Sequence, residues 1–431
     1  MTQSTALTSV NKVTSLRPLG ALEHIFWLMD QNYPSHFIMI ASVTGATAAE
    51  DWRPALDAVQ RRHPLLRAAI FVNASGMPEF YEDAESKIPL RIVDGTLGNW
   101  ESEVEREKER GFDWKQAPLV RCVLVHKANE ATLIVAAHHS VSDAAGILFV
   151  IRDILQALSG CDIGLLPLPR NEEDLIGQHQ STVDSLQSPS NHTGSPIVLP
   201  STFRKDDGTP IRIWRLRLSQ EFTATLRQCA RDEQTTLHAA LCAALVTAGR
   251  SSIWRDSTVR VFSPVNIREL LGVGEDCVVC LGAGAQDSFE PQRPADFWNL
   301  ARFANEQMGD QKTIDGAIRA KTIWESVATK DLTVEATANV VANVFARDMM
   351  VSNVGVVPFA TKFGDLTLET IWGPATLGGL EGEYNVGVAT TNGSLSVVVT
   401  SYLPSAFLLE QAESILMDAC IKQEAGAQQR F

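Results

Sequence analysis

Ala136-Ala137-His138-His139-Ser140-Val141-Ser142-Asp143-Ala144-Ala145-Gly146 lies between two segments of opposite periodicity. Thr132 to Ala137 is a short apolar run with strand character. Ala144 to Leu158 instead carries Ile147, Leu148, Val150, Ile151, Ile154 and Leu155 on one helical stripe. The histidine pair therefore falls at a strand end, in the turn before a helix. Successive strand side chains point to opposite faces, so one imidazole enters a cleft while its neighbour packs. Asp143 follows closely enough to hold the turn or steer an imidazole. Imidazole ionises near neutral pH and can take up a proton and return it within one reaction. As bare composition, a histidine pair is more often a packed pair than a catalytic one. As a metal site it is poor, because adjacent side chains diverge and only Asp143 stands by as a third ligand, so no metal is expected.

Outward from this stretch, strands alternate with helices. Phe37 to Val43 and Leu119 to Val125 are β-branched runs of strand length, and Ala49 to His63 has Trp52, Leu56, Val59 and Gln60 at helical spacing before Pro64 stops it. From about Pro167 to Pro210 the apolar periodicity gives way to Asn, Ser, Pro, Gly and Thr, which reads as a linker. Strand alternation resumes at Ile211 to Leu218, followed by helices over Gln220 to Glu233 and Leu237 to Gly249. Further strands are expected at Val259 to Ser263, Met349 to Ser352, Asn385 to Thr390 and Leu395 to Ser401. Cys277-Val278-Val279-Cys280 also reads as a buried strand. The expected division is residues 1–175, a linker at 176–210, and residues 211–431, in line with a length that exceeds what one core usually organises.

Composition narrows the classes of function. A 45% hydrophobic, 20% charged chain is ordinary for a globular protein, and no stretch approaches the roughly 18 apolar residues of a membrane span. Met1 to Val13 lacks the apolar core of a secretory signal, and the seven cysteines are too scattered for a disulfide framework, so a cytoplasmic location is expected. The formal charge of −14 disfavours nucleic acid, because 37 Lys and Arg face 51 Asp and Glu. Small molecules or a protein are the expected partners. A basic patch at Arg61, Arg62 and Arg67, or at Arg204 and Lys205, would suit an acidic protein partner.

The quoted stretch resembles the HHxxxDG signature shared by nonribosomal peptide condensation domains, polyketide-associated acyltransferases of the mycocerosyl transferase kind, wax ester synthases and plant BAHD acyltransferases. Supporting segments follow in order over nearly the whole chain: Arg62-His63-Pro64-Leu65-Leu66-Arg67, Phe112-Asp113, Pro118 to Arg121, the Leu237 to Ala244 helix, Ser263-Pro264-Val265-Asn266-Ile267-Arg268 and Val351-Ser352-Asn353-Val354-Gly355. The resemblance implies an α/β fold of two subdomains like chloramphenicol acetyltransferase, with mixed sheets flanked by helices, arranged as a V-shaped pseudo-dimer around a central channel. It implies an acyltransferase with His139 as general base and a thioester donor, either acyl-coenzyme A or a phosphopantetheine arm on an acyl carrier protein supplied in trans. No covalently bound cofactor is expected. The acceptor would be a hydroxyl, less favourably an amine, of a natural product or lipid, and the chain is expected to be a monomer. His138 and Asp143 take orienting or structural roles, Arg268 is the expected partner of Asp143 or else a substrate-binding group, and Ser352 and Asn353 are placed near the carbonyl oxygen. The competing readings are a silent carrier-docking module, or dehydration, epimerisation or cyclisation of a tethered intermediate. Two departures stand out. Ala144 replaces the glycine after the motif aspartate, where its methyl is expected to meet close helix packing. The DFGWG element of the plant branch is also missing, with only Ile371-Trp372-Gly373-Pro374 near its place.

Overall fold

The computed structural model describes residues 14–180, 200–274, 276–291, 296–404 and 406–428. Met1 to Val13 and most of the expected linker, residues 181–199, lie outside them.

Two six-stranded mixed sheets dominate the chain. The first runs in the order Lys362–Phe363, Leu366–Ala375, Phe37–Thr44, Glu130–Ala137, Val120–Lys127, Leu90–Asp94. The second runs Ala283–Phe289, Val259–Val265, Met349–Val356, Tyr384–Thr391, Ser394–Ser401, Arg212–Arg217. A small third sheet joins Thr14–Pro18, Pro78–Glu82 and Ala68–Val72. The central strands are buried on both faces, by helices and, over Tyr384–Thr391 and Ser394–Ser401, also by the strand Leu366–Ala375, which is why Phe37–Thr44 and Ser394–Ser401 are continuous apolar or small-residue runs. Arg212–Arg217 sits at a sheet edge and keeps a half-buried alternation. Each half has its own core. Trp52, Leu56, Ile147, Ile151 and their neighbours fill the first, and Leu241, Leu245, Val386, Val397 and Leu416 help fill the second.

The helices that cover the first sheet follow from their sequence. Trp52–Arg62 buries Trp52, Leu56 and Val59 and ends at His63, extended ahead of Pro64. Ala144–Leu158 starts because the Asp143 side chain accepts the backbone N–H of Gly146 at 2.7 Å, an N-cap that satisfies a donor the helix cannot.

A sequential division at residue 211 needs one correction. Leu366–Ala375 leaves the second half and pairs antiparallel with Phe37–Thr44, Ile371 opposite Ala41. Its apolar face packs Leu366, Leu368 and Ile371 into the first core. The reason is edge closure: Phe37–Thr44 would otherwise present an unpaired apolar strand edge. The crossing strand passes so close to Tyr384–Thr391 that a Cβ on Gly387 would overlap the carbonyl oxygen of Pro374 and the backbone of Gly373. Gly387→Ala is therefore expected to cost about 1–3 kcal/mol, the usual range for overpacking, or more because the obstacle is backbone. A urea titration against the parent protein measures it.

Cys277 to Cys280 is not a strand. It is an irregular, largely buried segment whose carbonyls are used by a side chain rather than by a neighbouring strand. Among the described residues no helix is long and apolar enough to cross a membrane.

Candidate active site

The second half locks the motif turn of the first. Arg268 Nη2 donates to Asp143 Oδ1 at 2.7 Å and to Oδ2 at 2.9 Å. Its guanidinium also donates to the carbonyls of Cys277 and Val279 at 2.7 and 3.0 Å. Asp143 Oδ2 further accepts the N–H of Leu281. Both carboxylate oxygens are thus occupied by Arg268, the helix cap and the Cys277 to Leu281 segment. Asp143 is built into the join between the halves, and Arg268 is its buried partner.

His139 follows the motif strand and lies on the wall of a cavity of about 210 Å³. Its ring stacks face to face on Phe26, with centroids 3.9 Å apart and planes within 3°, and Phe37 leans on it at 4.8 Å. Burial among these rings pushes the imidazole pKa down to about 4, with Asp143 opposing the shift and His138 and Lys108 reinforcing it. The ring is therefore neutral at pH 7. Its own backbone carbonyl accepts a hydrogen bond from the ring, and Nδ1 also faces Cys280 Sγ at 3.8 Å.

His138 turns the other way, fully buried. Its Nδ1 accepts the N–H of Ser140 at 3.2 Å, which places its proton on Nε2, 3.6 Å from Asp30 Oδ2. Asp30 in turn accepts the N–H groups of Ser35 and His36. Lys108, buried beside them, donates to the carbonyls of Pro34 and His36, and burial brings its pKa down to about 7. Behind the exposed edge of His139 there is thus a fixed polar network that anchors the turn.

Ser352 and Asn353 both line the cavity, as do Ala144 and Ala145. Asn353 Oδ1 accepts the N–H of Gly355 at 2.8 Å, which fixes its amide and leaves the NH₂ group free of that cap. Ala144 both packs against the first core, as its place in the helix led one to expect, and lines the cavity. It is Gly146 whose missing Cβ matters, since an added methyl would overlap Ser142 Oγ.

Phe26, Phe37, Asp30, Lys108 and Cys280 were not legible as site residues, because each reaches the motif through tertiary packing. Cys280 fell in a segment that read only as a buried strand. The basic patches also need correcting. Arg62 pairs with Asp153 and Asp276, Arg67 with Glu82, and Arg204 with Asp207, so most of their charge is consumed within the chain. His238 is a packed histidine, its Nε2 3.0 Å from Ser263 Oγ. Nearby Asp287 is 2% exposed, its Oδ1 has no hydrogen-bond partner, and burial raises its pKa to about 7. The unfolded chain releases that proton near pH 4, whereas the folded chain holds it until about pH 7, so this group weakens the fold progressively over that window and fully above it. Asp287→Asn is expected to raise stability at pH 8 by on the order of 3 kcal/mol and to leave it unchanged at pH 4, as read by thermal unfolding.

A paired Asp143–Arg268 beneath a neutral, cavity-facing His139 is joined to sequence evidence over most of the chain. The condensation-domain profile matches residues 25–248. The chain belongs to the condensation-domain family. Residues 208–400 of this condensation-type chain match a second profile, that of the phthiocerol/phthiodiolone dimycocerosyl transferase C-terminus. It is 28% identical over 183 residues to phosphinothricin tripeptide synthetase PhsC of Streptomyces viridochromogenes, covering 39% of this chain and 17% of that protein. It is 25% identical over 216 residues to malpinin synthetase of Mortierella alpina, covering 45% of this chain and 3% of that protein. The chain thus spans less than a fifth of the length of these relatives. The fold is shared with polyketide synthase associated protein 5 from Mycobacterium tuberculosis, at a TM-score of 0.59 and 16% identity over 94% of this chain and 98% of that one. It is also shared with TRI3 trichothecene 15-O-acetyltransferase from Fusarium sporotrichioides, at a TM-score of 0.62 and 12% identity over 97% of both chains.

Proposed function

We propose that this condensation-type chain is an acyltransferase that moves an acyl group from a thioester to a hydroxyl group of a small natural-product or lipid acceptor, with His139 as general base. The observation that carries the proposal is the neutral His139 imidazole on the cavity wall, its ring clamped by Phe26 and Phe37. In this reading Nε2 takes the acceptor proton as the acceptor oxygen attacks the thioester carbonyl. The tetrahedral oxyanion then collapses, the carbon–sulfur bond breaks, and the imidazolium returns the proton to the leaving thiolate. Ser352 Oγ and the Asn353 NH₂ group serve as donors to the oxyanion. His138 and the Asp143–Arg268 pair hold the turn and take no proton. The thioester is carried by coenzyme A or by a phosphopantetheine arm on a carrier protein in trans, no covalently bound cofactor takes part, and the reaction takes place in the cytoplasm on a monomer. Ester formation is favoured over amide formation by likeness to the mycocerosyl transferases, whose C-terminal profile the chain matches.

The test is thiol release from a panel of acyl-coenzyme A and acyl-carrier thioesters, with mixed alcohols and amines as acceptors. Release that requires an acceptor, with product mass increased by the acyl group, is the expected result. Loss of water from a tethered substrate without acyl gain, or carrier binding without turnover of any thioester, would overturn it.

A further inference from the structure

The cavity has a second chemical character away from His139. One corner is walled by Phe262, Trp324, Val341, Phe345 and Met350, with Arg347 among them. Trp324 and Phe345 stack at 5.0 Å and 26°, and Phe262 meets Phe345 edge-on at 5.9 Å. The Trp324 ring is held in place by its Nε1–H, which donates to the carbonyl of Gly282 at 3.1 Å. The three rings are therefore fixed as a wall, and flat apolar groups pack well on such a surface.

Arg347 is 6% exposed, and among the described residues only His139 and Asp143 share the cavity wall with it as ionisable side chains. A guanidinium offers five N–H donors. Two are engaged, both at long range: Nη1 with the carbonyl of Phe345 at 3.2 Å, and Nη2 with Glu383 Oε2 at 3.3 Å. Nε has no partner among the described residues but is itself closed off, so the donors left for a guest are the remaining N–H groups of Nη1 and Nη2. Its position depends on Gly378, where a Cβ would overlap Nη2. Glu383 is better satisfied. Its Oε1 accepts the N–H groups of Gly378, Gly379 and Leu380 at 2.7, 2.6 and 3.1 Å, and its Oε2 also faces Asn385 Nδ2. Charge in this corner is balanced by Glu383, but the donor count is not. A buried surplus of donors against a balanced charge favours an uncharged oxygen over a carboxylate, which would sit against Glu383.

We propose that this corner recognises a flat apolar group bearing an uncharged carbonyl or ether oxygen, which accepts a hydrogen bond from Arg347. Arg347 is then a specificity-determining residue. The assignment of that group to the acyl chain or to the acceptor rests on the acyl-transfer reading, but its binding does not.

The test uses the full chain and ligand-observed NMR titration with benzylideneacetone, its carbonyl-free analogue β-methylstyrene, and cinnamate. The parent protein is expected to bind the ketone at least about tenfold more tightly than the hydrocarbon, as one charge-assisted hydrogen bond allows, with cinnamate no tighter than the ketone. Arg347→Met alone strands a buried Glu383, so the informative variant is Arg347→Met with Glu383→Gln. It is expected to keep hydrocarbon binding and lose the ketone preference, with thermal unfolding confirming the fold. Equal affinity for ketone and hydrocarbon in the parent, a preference that survives in the double variant, or cinnamate as the tightest ligand would each overturn the proposal. A parent that keeps the ketone preference but releases no thiol removes the acyl-transfer reading and leaves the corner standing. Displacement of the ketone by cinnamoyl-coenzyme A assigns the corner to the acyl chain, and simultaneous binding assigns it to the acceptor.

Discussion

Replacing His139 with alanine is expected to lower acceptor-dependent thiol release by about 10²–10⁴-fold, the usual contribution of a positioned general base, while the folded state survives. Among the described residues the ring makes no ion pair, and its packing partners Phe26 and Phe37 are held by their own helix and strand. The pH dependence gives a second signature. Burial lowers the His139 pKa to about 4, so the neutral, proton-accepting form persists well below the ordinary histidine range. The acid limb of kcat/KM is therefore expected near pH 4 to 5 rather than near 6.5. A limb near 6.5, or full activity in His139→Ala, would assign the proton transfer to another group.

The largest expected effect on stability is at the join between the halves. Asp143→Ala removes the cap on Gly146, both hydrogen bonds to Arg268 and the acceptor of the Leu281 N–H. It leaves a guanidinium buried at 5% exposure facing a vacated carboxylate position. Breaking a buried pair in this way costs about 3–5 kcal/mol, and the lost cap adds about 1 kcal/mol. Asp143→Asn, which can still accept from Gly146, is expected to lose less. Asp143→Ala combined with Arg268→Met is expected to recover part of the loss, because no charge remains stranded. Urea denaturation of the parent, Asp143→Ala, Arg268→Met and the double variant closes the cycle. A double variant no more stable than Asp143→Ala would show that the cap and the Leu281 contact, rather than the ion pair, hold the turn. Thiol release is expected to fall in Asp143→Ala as well, because the segment locked by Arg268 also carries Cys280 against His139.

Local pattern made the motif surroundings readable. A strand, a capped turn and an amphipathic helix each leave a short-range signature, and Ala144–Leu158 appears with the boundaries its apolar stripe predicts. The pairing of Asp143 with Arg268 spans 125 residues, and no periodicity reaches so far. It was visible only through resemblance. The stacking of Phe26 on His139 left no trace in the sequence, because one aromatic on a helix reads as core wherever it packs. Cys277 to Cys280 misled for a physical reason. Two adjacent valines between cysteines look like a buried strand, yet here Val278 packs into the first core and Val279 into a separate cluster mostly of the second half, while the carbonyls of Cys277 and Val279 serve Arg268. Leu366–Ala375 escaped because Gly373 and Pro374 interrupt its end, and because its partner strand lies in the other half of the chain.

That crossing strand changes what each half is on its own. Phe37–Thr44 has Glu130–Ala137 on one side and Leu366–Ala375 on the other. A fragment ending in the linker region would leave eight residues of apolar strand with a bare edge, open to pairing with any extended chain. During synthesis the first half can gather its own core, but its sheet stays open until residue 375 has been made. The two halves, so alike in layout, are therefore one folding unit, closed by a segment that the first half borrows from near the end of the chain.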